Sequence, residues 1–165
     1  MKVIDILNKS DKAVFSFELV PPLKGGDINK IYEAIEPLIA LAPPFINITF
    51  HRDELEYREL PDGTIKKVTV TKRPGTVALA AAIMRRYNVD MVPHIVCGGA
   101  TRHKIENELI DLNFLDIENI MALRGDPIPG QRFFSPEEDG HKYSCELVEQ
   151  IYRMNHGQYL DDTLT

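Results

Sequence analysis

The chain has 165 residues, a formal net charge of −6 and a pI near 5.4, so its overall charge gives no attraction to nucleic acid or to an anionic membrane. With 44% hydrophobic and 27% charged residues, it has the composition of a globular domain. No apolar run approaches the ~20 residues of a membrane helix, and the start lacks a signal-peptide pattern, so we expect a cytoplasmic protein. Two distant cysteines, Cys97 and Cys145, predict neither a disulfide framework nor a paired-cysteine metal site.

The first third of the chain predicts two strands with a helix between them. Residues 13–20 are apolar and rich in β-branched and aromatic side chains, and two prolines follow them, which is typical of a buried strand. A helix is predicted from Asp27, a good N-cap residue, because apolar residues then recur at helical spacing until two consecutive prolines. Residues 45–50 predict the second strand.

The remaining segments continue this alternation. Apolar residues at helical spacing predict a second helix over 77–87, a third from about 101 to 114 and a last one over 144–155. Strands are predicted over 91–96 and 119–124. Strands that alternate with helices imply parallel pairing and right-handed crossovers.

Two segments interrupt the alternation, and both follow the C-terminal end of a strand, where β/α proteins build binding sites. Residues 54–72 place Asp62-Gly63 between two strand-like runs, which predicts a β-hairpin insertion after the second strand. Residues 127–143 are rich in proline and glycine, which predicts a long loop. Within that loop, Ser-Pro-Glu-Glu at 135–138 has the form of a capping box and predicts one helical turn.

Polar residues suited to chemistry stand at the ends of all four predicted strands. Glu18, Thr49 and His94 lie at the first three, and Arg124 with Asp126 follows the fourth. Because parallel strands place their C-terminal ends at one edge of a sheet, these residues predict a common site.

Two α/β architectures fit four β/α units. A closed eight-stranded barrel typically needs about 250 residues, so this chain would supply half of one. A complete doubly wound sheet of four or five strands would also suit this length. Composition alone leaves both open.

Several motifs stand out when they are taken together. The most specific is Leu-Arg-Gly-Asp-Pro at 123–127, followed by Phe-Glu-Leu-Val-Pro-Pro at 17–22. Ile-Thr at 48–49, His94 and Tyr-Ser-Cys-Glu-Leu-Val at 143–148 accompany them. In their order and over essentially the whole chain, these motifs resemble the methylenetetrahydrofolate reductase family. The resemblance implies an α/β fold of the (β/α)8 TIM-barrel type, with residues 1–165 as a single domain holding only about the first four β/α units, a half barrel.

The same resemblance implies a flavin-dependent reduction in one-carbon metabolism that supplies methionine. FAD would be the cofactor, NADH or NADPH the reductant, and a methylenetetrahydrofolate the substrate, with the cofactor carrying the hydride. Glu18 is the candidate general acid, which protonates a ring nitrogen of the folate so that its five-membered ring opens to a cationic iminium. Asp126 would stabilise that cation electrostatically.

The resemblance also implies a set of cofactor contacts. Thr49 would hydrogen-bond the flavin edge, and His94 would lie against the isoalloxazine. Tyr143 and Ser144 would contact the adenosine part. The full set of cofactor-binding residues is then Thr49, His94, Arg124, Gly125, Asp126, Tyr143 and Ser144.

Other polar residues receive no role. His94 and Cys97 have ligand-like spacing but no second pair, so no metal is expected. His51 is interpreted as a surface or loop residue. The basic residues of the insertion are interpreted as a solvated hairpin face; they are Lys66, Lys67, Lys72 and Arg73. Phe-His-Arg at 50–52 departs from the family pattern, in which small residues or an aromatic residue followed by glycine are usual.

Three hypotheses follow. The favoured one is the N-terminal half of a reductase, competent only with the rest of the barrel and without a nucleic-acid or membrane partner. The second is a short, inactive chain that self-associates through the open edges of a half barrel and its exposed interior residues, such as Phe15 or Phe17, so a homo-oligomer is expected. The third is a doubly wound small-ligand binding domain without flavin. The preference between NADH and NADPH is left open.

Overall fold

The computed structural model describes residues 1–128 and 131–161 and consists of five helices and six strands within those ranges. In chain order the elements are α1 (Val3–Lys9), β1 (Phe17–Leu19), α2 (Ile28–Ile39), β2 (Phe45–Ile48), β3 (Glu54–Glu59), β4 (Ile65–Val70), α3 (Thr76–Tyr87), β5 (Asp90–Val96), α4 (Arg102–Phe114), β6 (Met121–Leu123) and α5 (Ser144–Met154). The prediction of an α/β fold with a parallel sheet is therefore confirmed.

The main sheet has the strand order β1-β2-β5-β6, and every neighbouring pair is parallel. This order follows the chain without reversal, whereas a doubly wound sheet reverses its direction at a switch point. β3 and β4 form a separate antiparallel hairpin between β2 and α3, with Asp62 and Gly63 in its turn.

The helices α2 to α5 contribute to one hydrophobic core on one face of the sheet. Ile46 and Ile48 of β2 alternate with Asn47, so these two side chains lie on the same face. Doubly wound folds cover both faces of the sheet with helices, so the doubly wound alternative is wrong for the described sheet. The fully buried members of this core include Ile35, Ile46, Ile48, Ala80, Ile83, Met91, Ile95, Ile105, Leu112 and Leu147.

The opposite face of the sheet carries the polar residues. Glu18, Asn47 and Val92 are in register across three strands and therefore share that face, and His94 follows Val92 on the same side. At the β6 edge Leu123, paired with Val96, leaves 36% of its surface exposed.

The interpretation of Phe17 as a residue of the barrel interior is wrong. Its register partner is Ile46, so Phe17 lies on the helix-covered face. Phe15 precedes β1 and is 76% exposed.

Helix α1 was not predicted, and it contributes no buried residue. Polar contacts at its start hold it against the N-terminal ends of β5 and β6. The Met1 ammonium forms ion pairs with Asp90 at 2.8 Å and Glu118 at 3.2 Å. The Asn119 side chain accepts a hydrogen bond from the Val3 amide and donates one to the Met1 carbonyl.

The long loop before α5 differs from its prediction in one respect. Residues 135–138 form no helical turn; instead, Gly140 N–H donates to the Glu137 carbonyl in a simple turn. The carboxylate that caps α5 belongs to Glu146, which accepts from the Lys142 and Tyr143 amides, and these bonds lower its pKa. Residues 129 and 130 of the loop lie outside the described residues.

Among the described helices, none has the length and apolarity to cross a membrane.

Candidate functional site

A cleft of about 620 Å³ lies at the C-terminal ends of the parallel strands. Its volume falls in the ~300–1,000 Å³ range of small-molecule sites. β1, β2 and β5 and the segment after β6 all contribute to its wall. Five of the predicted site residues line it, namely Glu18, Thr49, His94, Gly125 and Asp126.

Glu18 and His94 approach each other across β2. The distance from Glu18 Oε2 to His94 Nε2 is 3.8 Å, which is longer than a hydrogen bond. His94 is only 5% exposed, and its Nε2 has no hydrogen-bond partner in the described part of the chain. Burial lowers the pKa of His94, although the nearby Glu18 carboxylate opposes that effect, so the ring is neutral near pH 7. A neutral imidazole with a free nitrogen is therefore available to a ligand.

Thr49 directly follows β2, and its hydroxyl group has two neighbours. It lies 3.2 Å from the Leu19 carbonyl and 3.2 Å from His51 Nε2. Burial, together with the positive charge of Arg73, lowers the pKa of His51. His51 is exposed and lies in a loop, as interpreted from the sequence, and it also lines the cleft.

Two residues assigned to a solvated hairpin face line the cleft as well. Lys72 forms ion pairs with Glu54 at 2.6 Å and Glu56 at 3.5 Å. Arg73 donates a hydrogen bond to the Pro21 carbonyl. The Arg73 contact joins the segment after β4 to the segment after β1, so Lys72 and Arg73 lie in the cleft wall rather than on a solvated hairpin face, while Lys66 and Lys67 are exposed on the hairpin.

A second cleft, of about 590 Å³, adjoins the first and is lined by the end of β6, the residues after it and the start of α5. Arg124 lines it, and its guanidinium carbon lies 5.4 Å from the centre of the Phe134 ring. The two clefts share Leu123, Gly125 and Asp126. The structure therefore brings the predicted residues together as two neighbouring groups, with Tyr143 and Ser144 in the second.

The backbone conformation and the packing at position 125 explain why this residue is glycine. Its φ angle is +83°, and a Cβ at this position would lie 2.5 Å from the Val96 side chain. The residue thus sets the path of the chain where the two clefts meet, whether or not a ligand is present.

Gly125→Ala is expected to lower the free energy of unfolding more than Gly63→Ala does. Both glycines have a positive φ, and alanine there costs about 1–2 kcal/mol, but no atom lies within 4 Å of a Cβ at 63. The clash with Val96 should add about 1–3 kcal/mol at 125. Urea denaturation of the two variants measures the difference, and equal losses would contradict the importance of that contact.

Sequence reasoning gave no role to three residues near the site. Asn47 is buried beside Glu18 and donates to the Ser16 hydroxyl at 3.3 Å. Arg52 lines the cleft, and both Arg52 and Phe134 lie close to the turn at Gly98. The position of Asn47 as a polar residue inside an apolar strand could have pointed to it. Arg52 and Phe134 could not be found in this way, because only the path of the loops brings them together.

Fold and site together define a class of protein: a parallel β/α protein with a ligand cleft at its strand ends, lined by acidic, basic and imidazole side chains. The sequence profile of "Methylenetetrahydrofolate reductase" matches residues 2–164. Because this match covers nearly the whole chain, the chain belongs to the methylenetetrahydrofolate reductase family.

Individual relatives are similar at modest identity. "Methylenetetrahydrofolate reductase (NADH) 1" of Arabidopsis thaliana is 27% identical over 167 residues, covering 99% of this chain and 25% of the relative. The "5,10-methylenetetrahydrofolate reductase" proteins of Escherichia coli and Salmonella typhimurium are each 28% identical, over 149 and 133 residues. These matches cover 87% and 81% of this chain but only 43% and 38% of the two relatives.

Proposed function

We propose that this chain supplies the N-terminal half of a reductase barrel that reduces methylenetetrahydrofolate to methyltetrahydrofolate, with FAD as cofactor and NADH or NADPH as reductant. The observation that carries the proposal is the convergence of Glu18, His94 and Asp126 from three strand ends on one cleft. The membership of the chain in the family supports the choice of substrate.

The half-barrel architecture is supported by four observations. The strand order follows the chain, and the helices α2 to α5 pack on one face, as in a β/α barrel. The opposite face has exposed apolar residues at its β6 edge, Met121 and Leu123. Within the described residues, β1 and β6 each pair with a single strand, so further strands can add at both edges. The relatives named above are all more than twice as long as their matched part.

The residues of the cleft fit FAD. The unpartnered His94 Nε2 is available to a polar atom of the isoalloxazine. The Thr49 hydroxyl donates to the Leu19 carbonyl and lies 3.2 Å from His51 Nε2, and its oxygen keeps a lone pair for a donor at the flavin edge. Gly125 and Asp126 line both clefts, and Arg124, Tyr143 and Ser144 line the second, into which the adenosine would extend. When bound, FAD supplies the hydride chemistry between the nicotinamide and the folate.

Glu18 acts as the general acid in this proposal. It donates a proton to a ring nitrogen of the folate, so that the five-membered ring opens to a cationic iminium that accepts hydride. The Glu18 side chain is 56% exposed in this chain, and it faces the cleft rather than the helix layer. The ligands, together with the rest of the barrel, would exclude water from this carboxyl group.

In contrast to Glu18, Asp126 gives up no proton in this proposal. Its carboxylate stabilises the cationic folate by its negative charge. It follows Gly125 and lines the first cleft together with Glu18 and His94, which supports a place for its carboxylate near the flavin ring and the folate. A fixed negative charge at that position lowers the energy of the iminium relative to the closed ring.

A second candidate function is self-association. In this case the chain forms a homo-oligomer and catalyses no reduction. The exposed apolar residues at the β6 edge and the two single-paired edge strands favour it. Titration with FAD tests the main proposal, because a flavin site requires the cleft whereas pairing of two copies by itself does not.

A further inference from the structure

A buried pair of polar side chains joins the loop before α5 to α5 itself, and it has no role in the proposed chemistry. His141 in the loop and Gln150 in the helix are 7% and 6% exposed. His141 Nε2 lies 2.5 Å from Gln150 Oε1. Gln150 Nε2 in turn donates to the carbonyl of Arg102, the first residue of α4, at 3.0 Å. The pair therefore connects the loop to both α4 and α5.

The directions of these hydrogen bonds follow from the chemistry of the groups. The Arg102 carbonyl can only accept, so the amide nitrogen of Gln150 faces it and the amide oxygen faces His141. Because that oxygen also can only accept, His141 Nε2 carries a hydrogen and donates it. Loss of the His141 side chain would leave the Gln150 oxygen without this donor in a buried position, which is unfavourable.

Three further contacts hold the same loop against the start of α4. The Arg102 amide donates to the Asp139 carbonyl at 2.9 Å, and the Arg102 guanidinium forms an ion pair with the Asp139 carboxylate. Gly140 packs closely on the chain before α4, since a Cβ at this position would lie 2.8 Å from the Ala100 carbonyl oxygen. Residues 139–141 therefore have a fixed path along α4.

The fixed part of the loop leads directly to residues of the second cleft. Tyr143 and Ser144 line that cleft, and they follow His141 closely in the chain. Tyr143 is 47% exposed, so its position depends largely on its backbone. The Glu146 carboxylate accepts from its amide, and the Cys97 thiol donates to its carbonyl. The chain just before it is held by His141.

We propose that His141 and Gln150 are positioning residues, which hold the loop so that Tyr143 and Ser144 stand in the second cleft before a ligand binds. The inference rests on the proposed function, in which this cleft receives the adenosine of FAD. When the conformation that binds a ligand is only partly populated, the affinity falls in proportion to that population. Loss of the pair should therefore weaken binding of the adenosine end and leave the flavin end unchanged.

His141→Leu in the full-length protein tests the inference, with Kd measured for FAD and for riboflavin, which has no adenosine. Leucine cannot donate to Gln150, so we expect the Kd of FAD to rise about 10-fold, the scale of one buried hydrogen bond. The Kd of riboflavin should stay at its wild-type value. His141→Gln keeps an N–H donor at the end of the side chain, and we expect it to restore most of the affinity for FAD.

Two more variants complete the experiment. His156→Leu is the matched control, because it makes the same change at an exposed histidine after α5, and it should leave both Kd values unchanged. Asp139→Asn removes the ion pair with Arg102 at an exposed position and leaves the buried pair in place. If His141→Leu does not fold, this variant still tests the role of the loop, with an expected rise of about 2-fold in the Kd of FAD alone.

Hydrogen exchange of the backbone amides at 139–144 follows the loop without any ligand. This exchange should be faster in His141→Leu than in the wild type, while exchange in β5 stays the same. The inference is overturned if His141→Leu binds FAD like the wild type, if riboflavin weakens by the same factor, or if exchange in the loop does not change. With normal FAD binding by the wild type, these results leave the proposed function standing. If the wild type binds no flavin, the proposed function fails and the inference fails with it.

Discussion

Glu18→Gln in the full-length protein is expected to slow reduction of the folate by about 10²- to 10⁴-fold, the usual contribution of a general acid. Reduction of FAD by NADH or NADPH should stay near the wild-type rate, because that half-reaction requires no proton from Glu18. Glutamine keeps the shape of the side chain and removes the proton donor. Stopped-flow absorbance of the flavin, recorded separately for the two half-reactions, measures both rates.

Glu54→Gln is the control for this experiment. Glu54 lines the same cleft, but it is paired with Lys72 at the mouth, so both half-reactions should remain close to wild type. Equal slowing of the two half-reactions by Glu18→Gln would contradict the general-acid role. It would indicate instead that Glu18 supports the structure of the cleft, for example through its contact with His94.

Asp126→Asn is expected to lower folate turnover by about 10²- to 10³-fold, which is the scale of losing one preorganised electrostatic contact. The flavin reduction potential should rise, because removal of a nearby negative charge stabilises the reduced, more negatively charged cofactor. Spectroelectrochemical titration of the bound flavin measures the potential, and steady-state kinetics measures the turnover.

The control for Asp126 is Asp53→Asn. Asp53 is exposed after β2, outside the residues that line the cleft, so its removal changes the net charge of the protein by the same amount at a greater distance. Its effect on the potential should be small because solvent screens exposed charges. A wild-type potential in Asp126→Asn would place this carboxylate away from the flavin ring and contradict its proposed role.

The sequence predicted the main strands because their apolar runs are continuous. β5 is observed at Asp90–Val96, within one residue of its prediction, since both its faces are buried. The run at 13–20 is equally apolar, yet only Phe17–Leu19 pairs with β2. Apolar composition indicates a preference for strand, whereas the length of a strand depends on its partner. The short helix α1, with no buried face, gave no periodic signal.

The sequence predicted only those site residues that lie at the ends of strands. Glu18 and His94 meet because parallel strands end at one edge, which the chain order reveals. The positions of Arg52, Lys72 and Arg73 depend instead on how the insertion after β2 turns back over the cleft. Local sequence indicates a hairpin there, but it does not indicate the direction in which the hairpin leaves the sheet.

A titration of this 165-residue chain with FAD, followed by flavin fluorescence, tests most directly whether the chain holds the cofactor. We expect saturable binding with close to one flavin per chain, because the residues proposed to hold the cofactor all lie between Thr49 and Ser144. Size-exclusion chromatography of the same sample shows whether one chain or a pair holds the flavin. Absence of saturable binding would contradict the claim that these residues hold the cofactor.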